Sequence, residues 1–131
     1  MGHLDKTQRM AVETAGIRHI HLLVADLDRS IRFYGEAFGM KEKFRDGDDL
    51  VFLNTPGTHD SLALHLVRSD ERVGESGGYE HFGITVTDRD ALDDAIVAIE
   101  AAGGALVEKG EHAPGVPYAY VRDPDGYIIE I

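Results

Sequence analysis

Apolar and polar positions change period along the chain twice, in the same order each time. Residues 17–24 read Ile-Arg-His-Ile-His-Leu-Leu-Val, a strand-like run. Asp26 or Asp28 then offers a helix cap. Ile31, Tyr34 and Phe38 fall at i, i+3 and i+7, one apolar stripe of a helix that Gly39 ends. Three candidate strands follow at residues 41–45, 50–54 and 61–67, separated by Gly47 and the Pro56–Gly57 pair. The second pass opens with a strand over 81–86. Asp88 or Asp90 caps a helix with Leu92, Ala95, Ile96 and Ile99 on one side, closed by Gly103–Gly104. Strands at 105–109, 119–122 and 127–131 complete it, the last two joined by the turn Asp123-Pro124-Asp125-Gly126.

One unit is therefore used twice. His19 and His81, Val24 and Val86, and Asp26 and Asp88 are each 62 residues apart. The expected fold class is α+β, with two βαβββ modules forming an open eight-stranded cup. Residues 1–16 read as a polar leader with a short helix over 8–14, residues 17–79 as the first module and 80–131 as the second. Neither half carries enough apolar surface to be comfortably stable alone, so the two are expected to make one composite domain.

The repeat also makes chemistry-bearing residues comparable. His19 and His81 open the first strand of each unit, while His65 and Glu130 lie in the last strands. A pseudo-twofold axis would bring all four to one centre on the walls of the cup. Imidazole and carboxylate donors suit a divalent Fe, Ni, Zn, Mn or Co ion. With His65 outside the set, two histidines and one carboxylate remain, the combination linked to non-haem iron oxygenases. A lone strand histidine is more often a hydrogen-bonded core or surface group than a ligand, and it is the repeat that singles these out. His21 shares strand parity with His19 and is expected at the cup as a substrate contact. His3, His59 and His112 stand in polar or Gly/Pro-rich surroundings and read as ordinary surface residues. Residues 45–49, 55–60 and 110–117 read as loops that shape the pocket.

Composition narrows the function classes. The 131 residues carry a formal charge of −11, which opposes broad binding to nucleic acid or anionic membranes but leaves room for a local basic pocket. The absence of cysteine excludes disulfides, thiolate metal sites and cysteine nucleophiles. No run approaches the ~20 apolar residues of a membrane span. Residues 1–16 lack the apolar core of a signal peptide, so the cytoplasm is the expected compartment.

Three motifs in order carry a resemblance. His19-Ile-His-Leu-Leu-Val24-Ala-Asp26 running into Phe33-Tyr34 and Phe38-Gly39-Met40, then His81-Phe-Gly-Ile-Thr-Val86-Thr-Asp88, then Arg122-Asp-Pro-Asp-Gly126-Tyr-Ile-Ile-Glu130, resemble the vicinal-oxygen-chelate superfamily. That superfamily includes glyoxalase I, methylmalonyl-CoA epimerase, extradiol dioxygenases, fosfomycin-resistance enzymes and bleomycin-binding proteins. The resemblance implies metal ligands at His19, His65, His81 and Glu130, with Glu130 and His65 as catalytic groups. His65 stands where glyoxalase I has Glu, and off the metal it would serve as an acid/base. Arg68, Tyr118 and Tyr120 are the expected substrate contacts beside His21. The implied function is a divalent-metal-dependent lyase or isomerase of glyoxalase/epimerase type acting on a small oxygen-chelating substrate. The alternatives are a one-domain extradiol-type dioxygenase, or an antibiotic-resistance enzyme or binding protein. A homodimer is expected, because an open curved sheet leaves edges and a wide face to cover.

Overall fold

The computed structural model describes residues 13, 17–68, 72–74 and 79–131. The leader expected over residues 1–16, with its helix over 8–14, therefore lies outside the described residues except for residue 13. The first module runs β1 (Ile20–Val24), α1 (Leu27–Phe38), β2 (Lys41–Asp46), β3 (Leu50–Asn54) and β4 (Leu62–Leu66). The second runs β5 (Phe82–Gly83), a 3-10 turn (Arg89–Ala91), α2 (Leu92–Ala101), β6 (Ala105–Ala113), β7 (Val116–Arg122) and β8 (Ile128–Glu130). Each module makes a four-stranded sheet, ordered β1-β4-β3-β2 and β5-β8-β7-β6. In each, the first strand pairs in parallel with the last and the remaining pairs are antiparallel. The chain thus has the expected open fold of two βαβββ units.

Local chemistry sets the helix ends. Asp26 has extended backbone (φ −142°, ψ 104°) and its carboxylate accepts from the Arg29 N–H at 3.0 Å, capping α1. Gly39 closes the helix at φ 71°, where a side chain would be strained. Asp88 caps the 3-10 turn by accepting from the Asp90 N–H at 2.9 Å.

Alternation along the strands builds one core. Leu22 and Val24 of β1, Val51 and Leu53 of β3, and Leu62 and Leu64 of β4 are buried on one face of the first sheet. Ala119 and Val121 of β7 and Ile129 of β8 do the same in the second, and Phe33 and Tyr34 of α1 and Leu92, Ile96 and Ile99 of α2 join them in a single cluster. The helices pack on each other at Gly104's side of the core. A Cβ at Gly104 would lie 2.7 Å from the Arg122 carbonyl oxygen and 2.9 Å from the Phe33 ring, so only glycine lets the modules approach there.

A buried acidic turn ties the modules together. Asp125 accepts from the Ala25 N–H (3.0 Å), the Arg29 guanidinium (3.0 Å) and the Ser30 hydroxyl (3.1 Å). Its neighbour Asp123 accepts from the Tyr34 hydroxyl at 2.8 Å and from the N–H groups of Asp125 and Tyr127. Burial raises the Asp123 carboxyl above the usual range against these donors, and burial together with Asp123 holds the Tyr34 hydroxyl protonated. The Tyr127 hydroxyl in turn donates to the Leu23 carbonyl at 2.7 Å.

Two elements differ from the sequence reading. The strand expected over 81–86 is a two-residue β5, because its neighbour β8 is only three residues long and the ladder ends where the Ile84 N–H meets the Glu130 carbonyl. The loop expected over 110–117 is instead the tip of a long β6–β7 hairpin. Gly110 and Pro117 sit within paired strand, and Gly115 (φ 78°) makes the turn.

Substituting Asp125→Ala should remove the acceptor of the Ser30 hydroxyl and the Arg29 guanidinium at the module boundary. The expected loss is about 1–3 kcal/mol of unfolding free energy in urea titration, the cost of orphaning the fully buried Ser30 hydroxyl, while the partly exposed Arg29 guanidinium can turn to water. An unchanged midpoint would show that the turn does not hold the modules together.

Candidate functional site

The faces of the sheets turned away from the helices carry the polar chemistry. On the first sheet, strand parity sends His19, His21, Phe52, Ala63 and His65 to the side opposite Leu22, Val51 and Leu64. The His19 ring meets the Phe52 ring edge-on, with centroids 5.9 Å apart. His21 Nε2 and His65 Nδ1 are 3.0 Å apart and share a proton. His65 Nε2 lies 3.6 Å from an Asp49 carboxylate oxygen at the β2–β3 turn. Burial, then the neighbouring His65 and His19, lower the His21 pKa from its ordinary 6.5.

On the second sheet, His81, Tyr118, Tyr120 and Glu130 share the outward face. His81 Nε2 lies 3.1 Å from Glu130 Oε1. The other ring nitrogen, Nδ1, is 3.1 Å from Glu80 Oε1. Both ring nitrogens of His81 thus face carboxylate oxygens, and an N–H on Nε2 donates to Glu130 Oε1 where no ion lies between them. Donors 3.1 Å apart are also spaced as neighbouring ligands, each about 2.1 Å from a shared ion. The Glu130 carboxyl is held below its usual range, first by a hydrogen bond from His112, and so stays ionised as a ligand must. This half of the set fits a divalent metal. The Tyr120 ring packs edge-on against His81 at 5.1 Å, and loss of hydration, then Glu130, raise its hydroxyl pKa.

The sequence reading missed His112. Its Nε2 lies 2.7 Å from Glu130 Oε2, and its ring stacks on Tyr118 with centroids 4.2 Å apart and planes 13° from parallel. The Gly/Pro-rich surroundings that made it look like loop surface are the end of β6, which aims the ring at Glu130.

The four expected ligands are not gathered in one chain. Among the described residues no three or more His, Asp or Glu groups are placed to hold a metal together. His81 and Glu130 meet on one sheet, and His65 meets His21 on the other. Strand register adds a further point. His21 pairs with Ala63 as Gly83 pairs with Glu130, so the repeat sets Ala63, a side chain with no donor, in the place of Glu130. His65 stands opposite Leu23, one pleat further along β4. Arg68 lies beyond the end of β4 and is exposed. A cavity of about 450 Å³ borders Glu130, His112, Tyr118 and Gly83. A larger one of about 770 Å³, walled by Phe38, Met40, Ile84, Val86 and Ala95, holds none of the expected site residues, so size is no guide to the chemistry here. No helix among the described residues is long and apolar enough to cross a membrane.

Paired βαβββ units with imidazole and carboxylate groups on the faces away from the core define the vicinal-oxygen-chelate class. The chain belongs to the glyoxalase/bleomycin resistance protein/dioxygenase superfamily, whose family model matches residues 16–131. It is 35% identical over 126 residues to a probable lactoylglutathione lyase of Vibrio parahaemolyticus, covering 88% of each chain. It is 32% identical to a lactoylglutathione lyase of Haemophilus influenzae, over 87% of this chain and 89% of that one. A glyoxalase-related enzyme from Fulvimarina pelagi, 31% identical, superposes with a TM-score of 0.72 over 90% of this chain and 87% of its own.

The lowered pKa of His21 is directly testable. The sign is that of a base kept neutral: the unfolded chain takes up the proton first, so this contribution to stability is lost as pH falls below 6.5. A proton NMR titration should place the His21 midpoint below 6.5, and His65→Ala should move it up without reaching 6.5. A midpoint at or above 6.5 in the parent protein would contradict the geometry.

Proposed function

We infer that the protein is a divalent-metal-dependent lyase or isomerase of the glyoxalase type, working as a homodimer whose centres are each completed by two copies. The observation that carries this is the division of the donors. His81 and Glu130 form a half-site with the spacing of neighbouring ligands, while His19 stands on another sheet of the same chain, and both faces lie open. A second copy offering its first sheet to this second sheet would complete the set as His19, His81 and Glu130.

His65 is assigned off the metal, since the register gives the Glu130-equivalent place to Ala63. Its contact with His21 and its position near Asp49 suit a group that takes and returns a proton beside the substrate. A bound divalent ion supplies Lewis acidity to adjacent substrate oxygens. The chain's own residues do the rest. Tyr118 and Tyr120 wall the substrate with aromatic surface, His21 contacts it, and Glu130 or His65 moves the proton. Curated relatives named as lactoylglutathione lyases favour a thiol adduct of a 2-oxoaldehyde as substrate. Two histidines and one carboxylate are also the set associated with ring-cleaving oxygenases, and this keeps a dioxygenase as the second reading.

Two experiments test the reading. His19→Ala and His81→Ala should each abolish metal uptake as separate homodimers. Mixed dimers should regain one intact centre of two, about a quarter of the parental sites after co-expression. No recovery on mixing would refute the shared centre. Turnover of a methylglyoxal–thiol adduct with Ni(II) or Zn(II), against oxygen uptake with a catechol and Fe(II), separates the two reactions. Activity in the second assay alone would replace the lyase reading.

A further inference from the structure

We propose that His112 is a positioning residue for Glu130, holding one carboxylate oxygen so that the other is presented to the metal centre in a single orientation. The inference rests on the metal reading above. The two oxygens of Glu130 already have separate neighbours. Oε1 faces His81 Nε2 at 3.1 Å, on the side where an ion would lie, and Oε2 accepts from His112 Nε2 at 2.7 Å. A glutamate on an open sheet face has three side-chain torsions to order, and it can bind an ion through one oxygen or both. A donor fixed on Oε2 removes that freedom and leaves Oε1 as a single directed donor, as outer hydrogen-bond partners do for metal-binding side chains in general.

His112 can hold Glu130 only if it is itself held, and the hairpin supplies the means. Its ring lies flat on Tyr118. The Tyr118 hydroxyl donates to Glu108 Oε2 at 2.6 Å, anchoring that ring to β6. Gly110 is the cross-strand partner of Tyr118, and a Cβ there would come within 3.1–3.3 Å of the tyrosine's hydroxyl and ring atoms. Glycine therefore leaves the space in which the ring lies down against β6. A line of contacts, Glu108 to Tyr118 to His112 to Glu130, thus runs from β6 to β7, back to the end of β6, and across to β8. The His112 side chain is 51% exposed and outside the apolar core, so its placement serves the open face and not the packing.

The test separates the hydrogen bond from the ring. Mn(II) and Ni(II) are titrated calorimetrically into the full-length parent, His112→Phe, His112→Gln and Glu130→Gln. Phenylalanine keeps a flat ring on Tyr118 but donates nothing, whereas glutamine restores an N–H donor without the ring. His112→Phe should bind about tenfold more weakly or worse, a loss typical of removing such a partner. His112→Gln should regain most of the affinity, and the thermal midpoint of the metal-free His112→Phe protein should match the parent. Parental affinity in His112→Phe, with binding lost in Glu130→Gln, would overturn the role of His112 and leave the metal reading standing. Equal weakness in the Phe and Gln variants would show that an N–H donor at this position does not restore binding and overturn the proposal, as would a fall in metal-free stability that tracks the affinity. A parent protein that takes up neither ion would bring down the metal reading and this inference together.

Discussion

A β-strand has two faces, and the requirement to bury one of them decides where chemistry is allowed. Leu22, Val51, Leu64, Val121 and Ile129 all turn to the shared helix layer, and their burial supplies the main driving force for the fold. Every group with a donor or a titratable proton on β1, β4, β7 and β8 is thereby sent the other way. His21, His65, Tyr120 and Glu130 are outward because their neighbours are inward. A one-residue slip of any of these strands would bury an imidazole, a phenol or a carboxylate and expose an aliphatic side chain, so the same force that folds the sheets fixes the register of the candidate site.

The acidic turn performs a different task. Two carboxylates drawn out of water between modules would be a liability if they were unpaired, yet each accepts at least three hydrogen bonds. Five of the turn's polar contacts, counting the Tyr127 hydroxyl, end on the first module. The apolar core brings the modules together without direction, and these bonds give the junction one geometry. Gly104 works in the same sense through space, since any side chain there would push the two helices apart.

Much of this was legible in the sequence because the 62-residue repeat is written in residue types that physics constrains: strand-opening histidines, capping aspartates and helix-ending glycines. The fold class and most strand positions followed, and so did the outward parity of His19, His21, His65 and Glu130. What was not legible depended on contacts across the sheet. His112 sits among Gly110, Pro114, Gly115 and Pro117, residues that locally signal a loop. Only the pairing of Gly110 with Tyr118 and of Glu111 with Pro117 makes the segment strand. The offset between His65 and Glu130 was also ambiguous, because the modules differ in length between helix and last strand. The ladder resolves it by pairing His21 with Ala63. The brevity of β5 was hidden for the same reason, since a strand's length is limited by its partner as well as by its own residues.

The junction also has a kinetic side. The Ala25 N–H and the Asp125 carboxylate that it meets are 100 residues apart in sequence, against roughly 40 for the partners in β1 and β4. Loop-closure entropy grows only with the logarithm of length, so this greater span adds about 0.8 kcal/mol. Distance along the chain is therefore a small obstacle. What must come first is structure at both ends: α1 has to exist before Arg29 and Ser30 point the same way, and the Asp-Pro-Asp-Gly turn has to close before Asp125 can meet them. The clasp therefore requires both α1 and the turn to be in place, and a chain whose second half is still being synthesised has its first half unlatched.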